Sequence, residues 1–76
     1  MRSPNAVSVA STKLTKQELD VLHWCKEGKT NWEIGEIMRI SEKTVEFHLS
    51  NAMRKLRVNN RMTAVITAIK AGHIHL

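Results

Sequence analysis

The chain has a single cysteine, Cys25, so no intramolecular disulfide framework can form, and a reducing compartment is the simplest setting. No apolar run approaches the roughly 20 residues that a membrane span requires. The N-terminus also lacks the basic-then-apolar form of a secretory signal. These absences disfavour a secreted mini-protein and a membrane protein and favour a cytoplasmic one. His23 and Cys25 lie two apart on an expected helix, pointing about 200° away from each other, and His73 and His75 fall at an expected frayed end. No zinc-ligand spacing results, so no metal site is expected. With three glycines there is no glycine-rich phosphate loop, and no nucleophile, base and oxyanion groups stand at workable spacing. An enzyme is not expected.

Acid is missing from the last thirty residues. Positions 47–76 carry Arg54, Lys55, Arg57, Arg61 and Lys70 with no Asp or Glu, whereas positions 1–46 balance seven basic against seven acidic residues. The whole formal excess of +5 therefore sits at one end of the chain. A one-sided positive field concentrates polyanions, nucleic acid above all, although a solvated basic surface that maintains solubility is the alternative. At 76 residues and 42 % hydrophobic content the chain holds one small domain. Such chains bury only about 60 % of their unfolded surface, so a partner or an economical helical packing is expected.

Residues 1–13, with Ser3, Pro4, Asn5, Ser8, Ser11 and Thr12, show no helical period and read as a flexible linker or terminal remnant. The domain is expected over residues 14–76. Thr15 and Glu18 have capping-box spacing, flanked by Leu14 and Leu19 as a hydrophobic staple, and predict a first helix to about Glu27 with Gly28 as its terminator. Leu19, Leu22 and part of Trp24 or Cys25 are its expected core. A second box, Thr30 with Glu33, predicts a shorter helix with Ile34, Ile37 and Met38 on its core face. Gly35 inside that helix costs roughly 1 kcal/mol against Ala, which a close approach by another helix would explain. Ser41 then caps a third helix, with Ile40 and Val45 in staple positions. So tight a connection forces the two helices to cross at a large angle, as in a helix-turn-helix unit.

On the third helix, steps of 100° place Val45, Leu49, Ala52 and Leu56 on one stripe and Lys43, Glu46, Phe47, Ser50 and Arg54 on the opposite one, with Thr44, Asn51 and Lys55 on a shoulder. The outward stripe is rich in hydrogen-bonding groups, and Phe47 is an aromatic that a purely solvated face would not need. Asn59 or Asn60 caps a fourth helix from about Arg61 to Ala71, with Gly72 behind it. Met62, Val65, Ile66 and Ile69 form its expected core stripe. Ala64, Thr67, Ala68 and Ala71 form a low-profile outer stripe that permits close contact across a two-fold axis, unless the alanines serve simply as helix formers. The expected fold is all-α, a tri-helical helix-turn-helix core plus a C-terminal dimerisation helix.

The residues Leu14-Thr15 with Glu18 and Val21-Leu22, Gly28-Lys29-Thr30-Asn31 with Glu33-Ile34, Ser41-Glu42-Lys43-Thr44-Val45 with His48, Lys55-Leu56 with Val58, and Asn60-Arg61 with Ala64 together resemble the LuxR-type helix-turn-helix DNA-binding domain of bacterial transcription regulators. The resemblance spans about residues 14–74. Around Trp24, Trp32-Glu33-Ile34 and Phe47-His48-Leu49 it looks most like the quorum-sensing branch. Two departures stand out: Gly35, where relatives often carry Ala, and Glu46 and Ser50, where some carry Arg or Lys.

The resemblance implies a third helix in the major groove and a fourth that pairs two domains on a partly palindromic operator in double-stranded DNA. It also implies an acyl-homoserine-lactone-binding domain ahead of this one in a longer receptor, RNA polymerase as a further partner, and a place at the bacterial nucleoid. No cofactor is expected in the fragment itself. Glu46, Phe47 and Ser50 lie at positions that look like the family's base-reading positions, and their chemistry suits cytosine N4, a thymine methyl and several base edges respectively. Arg54 lies on the same stripe. Thr30, Asn31, Lys43, Thr44, Asn51, Lys55 and Arg61 are candidates for phosphate contacts, which position without specifying, and Trp32 for a contact along the sugar-phosphate backbone. The plainer readings are an i,i+4 ion-pair partner for Glu46, satellite core for Phe47, partly buried core for Trp32 and helix capping for Thr30. A rival from a different class is a helical protein-interaction module in which Phe47 and the alanine stripe bind partner helices and DNA affinity is incidental.

Overall fold

The computed structural model describes residues 13–76, and the linker expected at residues 1–13 lies outside the described residues except for Lys13. Four helices follow one another, α1 (Lys16–Lys26), α2 (Asn31–Met38), α3 (Glu42–Leu56) and α4 (Arg61–Lys70), and there is no strand among the described residues.

Each helix begins where a side chain can satisfy an orphan backbone amide. Thr15 Oγ1 accepts from Glu18 N at 3.2 Å while Thr15 N donates to Glu18 Oε1 at 2.9 Å, which closes the first capping box. Thr30 and Glu33 repeat the arrangement at 3.1 and 2.8 Å. Ser41 Oγ accepts from Thr44 N at 3.0 Å, and Asn60, rather than Asn59, accepts from Thr63 N at 2.8 Å. Two helices end on arginines in the left-handed region, Arg39 and Arg57, both at φ 60°. That conformation costs a β-carbon roughly 1–2 kcal/mol, offset where the turn beyond it is closed. Ile40 N donates to Gly35 O and Val58 N to Met53 O, both at 3.0 Å, and Ile40 and Val58 pack against the core.

Gly35 admits the turn backbone rather than the body of another helix. A β-carbon there would lie 2.8 Å from Ile40 O and 3.4 Å from Glu42 N, so the chain entering α3 is laid directly across α2. This contact sets the crossing of the helix-turn-helix pair.

The core is built from Val21, Leu22, Ile34, Val45, Leu49, Ala52, Ala64, Val65 and Ala68, closed at its ends by Leu14 and Ile74. The expected C-terminal fraying does not extend to Ile74, which is buried, and Lys26 Nζ donates to the adjacent His75 carbonyl at 2.6 Å. Ile37, expected inside, is 42 % exposed, because α2 is so short that Ile34, Gly35 and a half-buried Met38 complete its inner face.

The larger correction concerns α4. Ala64 and Ala68, expected on the outer stripe, are fully buried, whereas Met62 and Ile66, expected in the core, are 67 % and 46 % exposed. A ten-residue helix apolar on two sides can turn either one inward. The inward face lies between the two, taking Ala64 and Ala68 from one and the expected Val65 and a partly buried Ile69 from the other, and the alanines let the α4 backbone approach its neighbours closely.

One charged side chain is inside. Glu18 is buried, and its Oε1 accepts from both Thr15 N and Lys55 Nζ, each at 2.9 Å. Burial pushes its carboxyl up, but the Thr15 amide and the hydrogen bond and charge of Lys55 outweigh this and hold its pKa below the ordinary value. A carboxylate so depressed stabilises the fold above its unfolded pKa and ceases to do so as pH falls through the folded one. Stability should therefore decline as pH drops below about 4.3. Glu18→Gln should flatten that acid limb in pH-dependent urea denaturation, and Glu18→Ala should cost about 2–4 kcal/mol at neutral pH by removing the cap and orphaning Lys55.

Candidate nucleic-acid interface

α3 buries Val45, Leu49 and Ala52, with Met53 and Leu56 packed against the core beside them, and leaves its opposite face free. On the far side Lys43, Glu46, Phe47, Ser50 and Arg54 are all exposed, and the first four line a shallow hollow of about 340 Å³. Phe47 is 61 % exposed, which removes the alternative of satellite core. Its ring meets His48 edge-on, with centroids 5.5 Å apart. A benzyl group left in water beside a carboxylate, a hydroxyl and two cations makes a face with both apolar and hydrogen-bonding character, as base edges require. Glu46 repels phosphates, so it can contribute to DNA binding only through discrimination.

On the shoulder, Thr44 and Asn51 are half-buried. Thr44 Oγ1 lies 2.9 Å from Ser41 Oγ, and Asn51 Oδ1 accepts from Arg54 Nη2 at 3.2 Å, which draws the guanidinium toward the shoulder. At the start of α2, Thr30 serves its capping box, with Asn31 half-buried beside it. The Thr30 amide, aided by the Thr30 hydroxyl and the Lys29 charge, holds the Glu33 carboxyl below its ordinary pKa against the opposing effect of desolvation. Trp32 is exposed rather than core, and with Lys29, Glu36 and Ile37 it borders a second hollow of about 310 Å³.

Two of the expected phosphate contacts are engaged inside the fold. Lys55 Nζ is held by Glu18 Oε1 and by the Lys13 carbonyl at 3.1 Å, with only 14 % of its side chain exposed. Arg61 donates from Nη1 to Asn31 Oδ1 at 2.7 Å and from Nη2 to Lys29 O at 2.9 Å. Both are basic and so suggest outward contacts, yet each neutralises or bridges groups that the packing brings together from thirty or more residues away. Of the C-terminal cations, Arg54, Arg57 and Lys70 are exposed. Sequence reasoning passed over Lys29, although its position directly before a capping box was the available signal. It also passed over Met62 and Ile66 as a surface.

Arg61, Cys25, Asn31 and Glu42 meet around an open groove of about 590 Å³. Burial pushes the Cys25 thiol up, offset in part by the nearby Arg61 charge. Among the described residues no group of three His, Cys, Asp or Glu side chains is placed to hold a metal ion.

The family model for bacterial regulatory proteins of the luxR family matches residues 12–68, a stretch that contains all of α1, α2 and α3 and most of α4. The chain belongs to the LuxR family. Its helix-turn-helix is the DNA-binding domain of this family of transcription regulators. Over 71 residues it is 49 % identical to the transcriptional activator protein SolR of Ralstonia nicotianae, covering 93 % of this chain and 30 % of that protein. It is 46 % identical over 68 residues to the quorum sensing-dependent transcriptional regulator RpaR of Rhodopseudomonas palustris, covering 90 % and 28 %, and 43 % identical over 72 residues to the activator LuxR of Aliivibrio fischeri, covering 90 % and 29 %. The chain thus spans less than a third of the length of these curated relatives. The solved structure of the transcription factor GerE superposes with a TM-score of 0.76 at 32 % identity, covering 79 % of this chain and 90 % of that one. Quorum-sensing regulators of the LuxR family are therefore among its relatives, and the four-helix fold is that of GerE.

The engagement of Lys55 generates a prediction that separates fold from contact. Lys55→Ala should lower the thermal midpoint while leaving the salt dependence of DNA affinity close to that of the parent, whereas Arg54→Ala should leave the midpoint within a degree or two and weaken binding by about 1–3 kcal/mol in fluorescence anisotropy.

Proposed function

We propose that the chain reads specific base pairs in double-stranded DNA as a dimer, with α3 in the major groove of a partly palindromic operator. The observation that carries this reading is the exposed face of α3, where Lys43, Glu46, Phe47 and Ser50 surround a shallow hollow with Arg54 exposed beyond it. Glu46, Phe47 and Ser50 read base edges, Arg54 reaches a guanine or a phosphate, and Lys43, Thr44, Asn51, Thr30 and Asn31 position the backbone. Trp32, exposed beside Lys29, lies along the sugar-phosphate backbone.

Pairing uses α4, with the surface moved from the stripe of Ala64, Thr67, Ala68 and Ala71 to the exposed Met62 and Ile66, which lie on a different side of the helix. Two apolar side chains of this size on one exposed helix face offer a self-complementary patch. The burial of Ala64 and Ala68 also takes from the rival protein-interaction reading half of the surface it relied on. In this account the chain is the output part of a longer receptor whose preceding domain takes an acyl-homoserine lactone, and it meets RNA polymerase at the nucleoid in the bacterial cytoplasm. The greater length of the activators and of the quorum-sensing regulator it resembles supports this. Among the described residues no helix is long and apolar enough to cross a membrane.

A binding-site selection should return a partly two-fold motif, and Glu46→Ala should change the bases preferred at one position of each half-site. Equal recovery of all duplexes, or an unchanged motif for the variant, defeats the base-reading assignment. Sedimentation at saturation should show two chains on the palindromic duplex and one for Ile66→Glu.

A further inference from the structure

Arg61 is the first residue of α4, and its guanidinium reaches back across the fold to the turn between α1 and α2. A guanidinium has five donors and no acceptor, so it can face only the oxygen end of the Asn31 carboxamide. The 2.7 Å bond from Nη1 to Asn31 Oδ1 therefore fixes which way that amide is turned and leaves Nδ2, a donor, at the end away from the guanidinium. The second bond, from Nη2 to the Lys29 carbonyl at 2.9 Å, holds the backbone on the other side of Thr30. What such an amide can bind is an acceptor, and because Lys29 and Arg61 share the surrounding groove with a single carboxylate, Glu42, the acceptor favoured is anionic.

On the reading proposed above, which this rests on, we infer that Arg61 is a positioning residue: it orients the Asn31 amide toward a phosphate of the DNA backbone and does not itself contact that phosphate. Because the same side chain opens the pairing helix, its two bonds also fix the distance between the phosphate contact and the dimer axis. Its basic side chain makes Arg61 a candidate for a phosphate contact, but its hydrogen bonds engage it with Asn31 and the Lys29 carbonyl instead.

Salt dependence distinguishes the two roles. A cation that neutralises a phosphate contributes about 0.9 to the slope of log affinity against log salt, whereas a neutral amide held by a cation contributes little. Anisotropy titrations across a potassium chloride series, on the duplex recovered by selection, should show Arg61→Gln weakening binding several-fold with the slope nearly unchanged. Asn31→Ala should weaken it to a similar degree, and the double variant should be no weaker than Asn31→Ala alone. Asn31→Asp keeps an acceptor for Arg61 while removing the donor. It should remain folded by circular dichroism and lose more than tenfold in affinity, which keeps the inference testable should Arg61→Gln unfold. A slope reduced by about one unit in Arg61→Gln, effects that multiply in the double variant, or parental affinity in Asn31→Asp each overturn the positioning role. Failure of the parent chain to discriminate the selected duplex from a scrambled one overturns the base-reading proposal instead, and failure to bind any duplex overturns both.

Discussion

α3 is fastened at its two ends by contacts of different kinds, and everything proposed for its free face depends on them. At the N-terminal end, the absence of a β-carbon at Gly35 lets the Ile40–Glu42 backbone cross α2 at contact distance. At the other end, Lys55 is drawn onto the buried carboxylate of Glu18, which simultaneously caps α1. Between these points Val45, Leu49 and Ala52 dock the helix, with Met53 and Leu56 packed beside them, so its opposite face is available to water or to a ligand. A buried ion pair is weak evidence for net stability, but removal of either partner leaves an uncompensated charge, which makes the pair effective at enforcing one arrangement.

The basic residues divide accordingly. Lys55 and Arg61 tie segments of the domain to each other, while Lys43, Arg54 and Arg57 remain at the surface. The positive end of the chain is thus less of a uniform electrostatic footprint than its composition suggests. On the proposed reading, affinity for DNA comes from fewer free cations, supplemented by hydroxyls and amides whose orientation is set internally, as with Thr44 against Ser41 and Asn31 against Arg61.

The local grammar was legible wherever it is local in physics. Capping boxes act over three residues, so Thr15 with Glu18 and Thr30 with Glu33 announced their helices directly, and the Ser41 cap after so short a turn announced the crossing. The polar face of α3 followed from angular position on a long helix. The facing of α4 did not, because ten residues with apolar groups on two sides give no unique stripe, and the choice is made by how closely neighbouring backbones approach. Glu18–Lys55 and Arg61–Asn31 were equally out of reach, since they join positions 37 and 30 apart and nothing in the one-dimensional pattern pairs them.

The central claim is that the face of α3 from Lys43 to Arg54 lies against base edges. Titration of isotope-labelled protein with the selected operator duplex, read by chemical shifts and intermolecular Overhauser contacts, tests it most directly. The account predicts the largest perturbations at Glu46, Phe47 and Ser50, with contacts from the Phe47 ring to base protons in the major groove. Perturbations confined to α4, with Phe47 unshifted at saturation, would contradict it.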